Sequence, residues 1–290
     1  MTPEIECIPC LVQQAYRIIA LLGLPESTGK KVLKEVMSML IDQDFDKPTP
    51  YYSQKIWKII QNYTHDPDPY KDIRHHFNQK MKERSVQIEG LIQESAMRFR
   101  TAVKTAITGN IIDFGSKHPI SEDSILNEIS SINSKPLYLD DHKKLRSKIR
   151  SAENLLYLGD NCGEIVFDKL FIKEIKKLNP SLKVTFVVRG GPILNDVIIS
   201  DADQVHMEEV ARIIDNGFDA PGTQLAQCSA GFLKEFDAAD LIISKGQGNY
   251  ESLSDAKRRD IFFLFMVKCE AVAKQTGAAR GSLVCLHNKK

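Results

Sequence analysis

Apolar residues recur every three or four positions through the first hundred residues of the chain, which is the spacing of one helical face. A first face runs from Leu11 to Leu22 and a second from Val32 to Leu40. Prolines at positions 25, 48, 50, 67 and 69 interrupt the pattern. A single long helix is predicted after them, with apolar positions from Ile88 to Ile107 on its buried side. We therefore predict an all-helical N-terminal region over residues 1–108.

The pattern changes near residue 110, where short β-branched runs alternate with helical stretches. The predicted strands are Leu155–Leu158, Val184–Val188, Leu241–Ile243, Ile261–Met266 and Leu283–Leu286, with Asp203–Met207 as a further candidate. The predicted helices between them are Ile165–Leu178, Pro192–Ile199 and Glu270–Gln275. Strands without polar alternation that are separated by helices indicate a mostly parallel sheet. The predicted fold class is α/β, with a Rossmann-like sheet covered by helices on both faces over residues 109–290.

Composition and charge limit the classes of molecule that the protein is expected to bind. The 290 residues are 42% hydrophobic and 27% charged, as expected of a globular protein with a substantial core. The net charge is +1, so charge gives no argument for binding nucleic acid or an anionic membrane. No apolar run approaches the roughly 20 residues that cross a bilayer. The first residues are acidic and lack the basic start of a signal peptide. We therefore expect a cytoplasmic protein with no nucleic acid or membrane partner.

Six cysteines are scattered along the chain, and two of them form the pair Cys7-Ile-Pro-Cys10. One such pair without a second is weak support for zinc. The pair also precedes a helix rather than following a strand, which argues against a thioredoxin-like site. Structural cysteines, or half of an accessory metal site, are favoured over redox catalysis.

Ligands of open α/β sheets bind beyond the carboxyl ends of the strands, so the loops that follow the strands are candidate sites. Gly159–Glu164 follows a buried run and contains Asp160 and Asn161, whose carboxylate and amide oxygens suit a hard cation. Gly163 precedes a helix N-terminus, which favours a bound anion. The same residue types are common in ordinary turns, and that alternative stays open at this point.

Two further loops have similar compositions. Arg189–Asp196 contains two glycines, a proline and the oxygen pair Asn195-Asp196. Ser244–Glu251 contains Lys245 and two glycines, which together suit a phosphate. Each loop alone also has a plain structural explanation, with Arg189 as a surface charge and Lys245 as a strand cap. Because the three loops follow strands of one predicted sheet, we expect them to share one edge and one site.

The three motifs occur together, and in this order, in a known family. With Gly-Asp-Asn-x-Gly-Glu, Arg-Gly-Gly-Pro-x-x-Asn-Asp and Lys-Gly-x-Gly-Asn-Tyr-Glu, the chain resembles the metal-dependent damage-control phosphatases, also called domain of unknown function eighty-nine. Cys7-Ile-Pro-Cys10 and Gly109–Phe114 are similar to the stand-alone prokaryotic branch of that family. The resemblance covers nearly the whole chain. It implies metal-dependent hydrolysis of small phosphomonoesters, such as sugar phosphates or damaged phosphorylated metabolites.

The resemblance also implies which residues act. The family's metal ligands correspond to Asp160, Asn161 and Asp196, which would hold one divalent ion of manganese, magnesium, cobalt or nickel. A family lysine corresponds to Lys268. The residues implied in binding phosphate or substrate are Lys245, Gly246, Gln247, Gly248 and Asn249, with looser assignments at Glu164, Asn110 and Asp113. The first loop has Cys162 where alanine or serine is expected, a change that removes no proposed ligand.

The expected reaction is phosphoryl transfer to water, with the substrate phosphate between the cation and basic groups. The metal and Lys268 would neutralise charge on the phosphate oxygens, and backbone N–H groups of Gly246–Asn249 would complete the anion seat. Asp160 is expected mainly as a ligand, and a role in orienting water or as the nucleophile stays open. The expected partner is a small phosphorylated metabolite, and no pattern indicates the oligomeric state.

Two other classes of function stay open. A carboxyl methyltransferase or a nucleotide-binding transferase could use the same sheet edge, although Gly246-Gln247-Gly248 lacks the third glycine of a dinucleotide fingerprint. The other class is a non-catalytic protein that binds a metal or a metabolite.

Overall fold

The N-terminal region is helical, as the periodicity predicts. The computed structural model describes residues 1–109, 132, 134–258 and 260–288. Within this part of the chain the first helices are α1 (Cys7–Leu21), α2 (Glu26–Ile41), α3 (Thr49–Thr64), α4 (Lys71–Glu94) and α5 (Arg98–Thr108). Pro25 and Pro48 stand just before α2 and α3 with extended backbones, because a proline starts a helix more easily than it continues one.

The single long helix predicted through residue 107 is wrong, because the chain breaks between α4 and α5. Ser95 is extended, and its hydroxyl accepts the N–H of Met97 at 3.2 Å and shares a hydrogen bond with the Thr101 hydroxyl at 2.7 Å. A side chain that bonds the backbone locally competes with the helix. The apolar period continues across the break because α4 and α5 both contribute to the same core.

Seven strands form one sheet, which confirms the α/β class. Their order across the sheet is β1-β7-β6-β5-β2-β3-β4, and neighbouring strands are parallel except for β6 and β7. The strands are β1 (Leu137–Asp140), β2 (Asn154–Leu158), β3 (Lys183–Val188), β4 (Arg212–Asp215), β5 (Leu241–Lys245), β6 (Ile261–Met266) and β7 (Leu283–His287). The helices that follow α5 in the described residues are α6 (His142–Ser151), α7 (Glu164–Leu178), α8 (Ile199–Gln204), α9 (Ala230–Ala238), α10 (Gln247–Leu253) and α11 (Glu270–Thr276).

Two predicted elements are wrong and two strands were missed. Asp203–Met207 is not a strand, since it spans the end of α8 and the start of a short 3-10 turn. Most of Pro192–Ile199 is a loop rather than a helix. The missed strands β1 and β4 lie at the two edges of the sheet, where each mixes exposed with more buried residues. Edge strands are half solvated, so they lack the continuous apolar run that marks a buried strand.

Alternate residues of the central strands bury opposite faces of the sheet. Leu155 and Tyr157 of β2 join a core with α4, α5, α6 and α7, whereas Leu156 and Leu158 join a core with α9, α10 and α11. Helices therefore cover both faces. A third core unites α1, α2 and α3. Since α4 and α5 share the core of the sheet, the hydrophobic packing divides the chain earlier than the predicted boundary at residue 108, which stays a prediction.

None of the helices in the described residues is long and apolar enough to span a membrane.

Candidate active site

The loops after β2 and β3 are joined to each other by backbone hydrogen bonds. The N–H of Val197 donates to the carbonyl of Asp160 at 2.9 Å, and the N–H of Cys162 donates to the carbonyl of Asn195 at 2.9 Å. An antiparallel bridge pairs Asn161 with Asp196. Neighbouring parallel strands end at the same edge, so their loops can meet in this way. The backbone thereby brings Asp160, Asn161 and Asp196 together, as the sequence predicts.

The loop after β5 closes against the same place. Gly246 has a φ of 80°, and a Cβ atom at this position would lie 1.9 Å from Oδ2 of Asp160. Asn249 is fully buried, and its amide nitrogen donates to the carbonyls of Gly159 at 3.1 Å and Lys245 at 2.7 Å. Asn249 therefore binds the ends of β2 and β5 to each other. Its side chain therefore supports the loop from the buried side.

Arg189 is a functional candidate that sequence reasoning weighed only as a surface charge. Its side chain is buried, and its Nε donates to Asp196 Oδ2 at 2.7 Å while Nη2 lies 3.5 Å from Asp160 Oδ1. Both terminal nitrogens are buried without a hydrogen-bond partner among the described residues. The signal available in the sequence was an arginine directly after a buried strand, in the same loop as Asp196.

Two aspartates share this one guanidinium. Burial raises the pKa of Asp196 to about 7, and the nearby Asp160 carboxylate adds to the rise while Arg189 opposes it. The raised pKa means that the folded protein disfavours the negative charge on Asp196 when only Arg189 and the other groups of the chain surround it. A further cation at this point would offset that penalty.

Asn161 lies between carboxylates, with its amide nitrogen toward them. Nδ2 donates to Asp160 Oδ2 at 2.6 Å and to Glu164 Oε2 at 3.3 Å, whereas Oδ1 accepts a hydrogen bond from Asn195 at 2.9 Å. The two atoms of an amide exchange places when the group turns by a half rotation. The same side chain can therefore either donate to the Asp160 carboxylate or turn its oxygen toward a cation beside that carboxylate.

The structure does not bring Lys245 to the predicted phosphate seat. Its ammonium is fully buried and bonds Glu164 Oε1, Asp168 Oδ1 at 2.6 Å and the carbonyl of Ala106 at 2.7 Å. An ammonium has three donors, and these partners occupy all of them. Burial raises the pKa of Glu164, and the Lys245 charge opposes that rise. In this structure Lys245 and Glu164 form a buried ion pair beneath the loops.

Lys268 follows β6 and is half-buried, and because β6 runs parallel to β5 it lies at the edge of the sheet that carries these loops. Its positive charge opposes the rise that burial causes in the pKa of Asp196. Within the described residues it makes no ion pair. Its backbone N–H donates to Gln247 Oε1 at 2.9 Å, and Gln247 Nε2 donates to Glu251 at 2.7 Å. Gln247 thus links the loop after β5 to the loop that carries Lys268.

A cavity of about 310 Å³ lies between the helical region and these loops. Asn195 and Gly248 line it on the side of the loops. Asn195 directly precedes Asp196, and Gly248 is itself one of the residues predicted to bind phosphate. Most of the remaining wall comes from α1 and α3, with Leu11, Ile18, Gln14 and Ser53. The cavity is therefore partly apolar and partly polar, and its wall includes the residue next to Asp196 in the chain.

The residues present fit a hard divalent cation. The donor set would be two buried carboxylates and one amide, which are oxygen ligands of the kind that Mg²⁺ and Mn²⁺ accept. In the described part of the chain, no group of three or more His, Cys, Asp or Glu side chains could hold a metal ion. That finding gives no support to a metal site at Cys7 and Cys10, both of which are free thiols. Asn110 and Asp113 lie outside the described residues.

Comparison with known proteins identifies the family. The model of the damage-control phosphatase ARMT1-like domain matches residues 4–284. The chain belongs to the damage-control phosphatase family. It is 31% identical to Damage-control phosphatase PH1575 of Pyrococcus horikoshii, over 100% of this chain and 99% of the relative. It is also 30% identical to a damage-control phosphatase of Archaeoglobus fulgidus, with 96% of each chain covered.

The fold of this damage-control phosphatase family member agrees with a solved structure. The crystal structure of a DUF89 family protein from Pyrococcus horikoshii, PH1575, superposes with a TM-score of 0.88. The match covers 100% of both chains at 30% sequence identity. Family, relatives and fold thus confirm the resemblance found in the three motifs, and membership supports phosphatase activity.

Proposed function

We propose that this protein is a metal-dependent phosphatase that hydrolyses small phosphomonoesters, such as sugar phosphates or damaged phosphorylated metabolites. One observation carries the proposal. Two loops from neighbouring strands are bonded to each other so that Asp160, Asn161 and Asp196 converge at the edge of the sheet that also carries Lys268. Membership in the damage-control phosphatase family supports the class of reaction.

Asp160, Asn161 and Asp196 would hold one divalent ion. When bound, the ion would supply a Lewis acid that polarises a phosphate oxygen and lowers the pKa of a bound water. Oxygen ligands bind manganese, magnesium, cobalt and nickel, so these metals have to be compared by experiment. Arg189 holds Asp196 through Nε and lies beside Asp160, so its role is to fix the orientation of both carboxylates.

Lys268 would bind the phosphate of the substrate. An ammonium that makes no ion pair within the described residues is available to an anion, and it can stabilise the charge on the equatorial oxygens of the phosphate during transfer. The same contact would hold the phosphate close to water in a fixed orientation. The leaving group would lie in the cavity, where Gln14 and Ser53 offer polar contacts and Leu11 and Ile18 offer apolar ones.

The proposal is tested by measuring phosphate release from a panel of phosphomonoesters, each with manganese, magnesium, cobalt or nickel, after removal of bound metal. We expect metal-dependent release by the wild-type protein. Asp196→Ala and Lys268→Met should each lower kcat/KM at least about 100-fold, as expected when a group that stabilises charge in the transition state is removed.

Variants are first compared with the wild type by circular dichroism, so that a loss of fold is not counted as a loss of catalysis. A folded, metal-saturated Asp196→Ala protein that hydrolyses substrate at the wild-type rate would contradict the proposal. Methyl transfer from a labelled donor without phosphate release would instead support the alternative carboxyl methyltransferase. Metal binding without turnover of any substrate would support a binding protein.

A further inference from the structure

Two polar side chains of α4 are buried where an apolar helix face would be expected. Arg74 and Asn78 are four residues apart, hence on one face of the helix, and their exposed fractions are 1% and 0%. Burying a polar group without partners costs several kcal/mol, so such groups are retained with specific hydrogen bonds. Their partners show what this face of α4 does.

Asn78 holds the end of the loop that carries Asp160 and Asn161. Its Oδ1 accepts the backbone N–H of Gly163 at 2.7 Å. Gly163 has a φ of 72° and stands immediately before α7, so its left-handed backbone turns the chain from the loop into the helix. The hydrogen bond from α4 fixes this turn, and with it the direction in which the loop leaves.

Arg74 holds the loop that carries Asp196. Its Nη1 donates to the carbonyl of Leu194 at 3.4 Å, and Leu194 has a left-handed φ of 49° two residues before Asp196. The guanidinium also bonds Asp68 through Nη1 and Nη2 at 2.8 and 2.6 Å. The planar fork of an arginine can make all of these bonds at once, which a lysine cannot.

Asp201 connects the two contacts. Its Oδ2 accepts from Arg74 Nε at 3.0 Å, and its Oδ1 accepts from Asn78 Nδ2 at 2.9 Å. Oδ2 also accepts the N–H of Ile198 at 2.9 Å, just past Asp196. One buried network therefore reaches the first loop at Gly163 and the second loop on both sides of Asp196.

We propose that Arg74 and Asn78 are positioning residues, which bind the two ligand-bearing loops in register so that Asp160, Asn161 and Asp196 stay within reach of one ion. The metal-binding part of this inference rests on the function proposed above. Residues that orient metal ligands commonly contribute about 10- to 100-fold in metal affinity or activity. The helical N-terminal region would then belong to the active site rather than only cover it.

The decisive comparison is between Asn78→Ala and Asn179→Ala. Asn179 is also a buried asparagine, and its amide donates to the carbonyls of Ile149 and Ala152, both at 2.9 Å, away from the ligand-bearing loops. Both variants lose buried hydrogen bonds, so both should unfold at a lower temperature than the wild type. Only Asn78→Ala should weaken Mn²⁺ binding about 10- to 100-fold in calorimetric titration, and lower kcat without a matching change in KM.

Hydrogen exchange measured by mass spectrometry separates this inference from the proposed function. We expect faster exchange in peptides that cover residues 159–164 and 193–198 in Asn78→Ala, and no such change in Asn179→Ala. Unchanged exchange together with wild-type Mn²⁺ affinity would overturn the positioning role. Wild-type protein that binds no metal and hydrolyses no substrate would overturn the proposed function, while the exchange data would still decide whether α4 orders the loops.

If Asn78→Ala does not fold, the same measurements are made on Arg74→Lys, which keeps a positive charge beside Asp68 and Asp201. We expect Arg74→Lys to refold, and to assemble its core, faster than a variant that lacks the positive charge. Faster exchange in residues 193–198, with weaker Mn²⁺ binding, is the expected result. Exchange and affinity equal to the wild type would contradict the proposal.

Discussion

Gly246 lies closer to the Asp160 carboxylate than a residue with a side chain could. The position combines a backbone with φ of 80° and ψ of 160°, a region that essentially only glycine occupies, with a contact that a Cβ atom would make at 1.9 Å from Oδ2. Gly277, which ends α11, has a φ of 73° and a ψ of 5°, which is the left-handed helical region, and open space around its Cα. Gly277 therefore has a positive φ without a requirement for close approach.

Gly246→Ala should therefore damage the site beyond its effect on stability. An alanine in the left-handed helical conformation of Gly277 costs about 1–2 kcal/mol. The backbone of Gly246 is one that alanine does not readily adopt, so Gly246→Ala should lose more stability than the control Gly277→Ala. Only Gly246→Ala should displace Asp160, and we expect it to weaken Mn²⁺ binding at least about 10-fold. Calorimetric titration of both variants, with urea unfolding in parallel, makes the comparison. Equal metal affinity in the two variants would show that Asp160 tolerates the displacement.

At the scale of elements, a buried ion cluster joins one strand to two helices. Lys245 at the end of β5 bonds Glu164 and Asp168 of α7 and the carbonyl of Ala106 in α5. Tyr157 of β2 donates a further hydrogen bond to Asp168 at 2.6 Å. The sequence places Lys245 next to a glycine-rich loop, which favours a phosphate contact. The Lys245 side chain points inward, on the face of β5 that α7 and α5 cover. The packing of these two helices decided that direction.

Lys245→Met should destabilise the fold. Removing one partner of a buried ion pair leaves uncompensated carboxylates and costs about 3–5 kcal/mol. Lys148→Met is the matched control, because Lys148 pairs with Asp260 at 2.9 Å at the surface, where such pairs contribute about 0–1 kcal/mol. Urea unfolding measures both. A loss of less than about 1 kcal/mol for Lys245→Met would show that the cluster contributes little.

At the scale of the whole molecule, the candidate site exists only where separate parts of the chain meet. Asp160 and Asp196 come from different loops, Lys268 comes from a third, and α4 binds the first two through Asn78 and Arg74. A metal ion that needs both aspartates binds the folded state and has no equivalent site in the unfolded chain. Metal binding and global stability should therefore be coupled.

We accordingly expect Mn²⁺ to raise the free energy of unfolding. A ligand present at about 100 times its Kd adds about 2.7 kcal/mol, and chelation should remove the increase. Thermal unfolding with added Mn²⁺, and again after chelation, measures the effect. Asp196→Ala should abolish the metal-dependent shift, whereas Asp237→Ala, at an exposed position on α9, should keep it. A shift that survives in Asp196→Ala would place the ion elsewhere.

Local patterns in the sequence were enough to predict the classes of element and the order of the loops. The 3.6-residue period gave the N-terminal helices, and continuous apolar runs gave β2, β3, β5, β6 and β7, because burial on one or both faces selects these patterns. Three polar loops after strands, in a known order, were enough to predict where Asp160, Asn161 and Asp196 meet. Short local signals failed where edge strands are half solvated, as in β1 and β4, or where Ser95 ends a helix within an unbroken apolar period.

Which charged residues face the site, and which are buried beneath it, depends on how the elements pack together. Arg189 follows a buried strand and Lys245 ends one. Their positions in the sequence do not show that Arg189 contacts two carboxylates of the site while Lys245 forms an internal ion pair. Arg74 and Asn78 carry no motif, since apart from Asp68 their partners lie in distant parts of the chain. Their roles depend on long-range packing, in which a side chain's partners are set by the helices and strands that surround it.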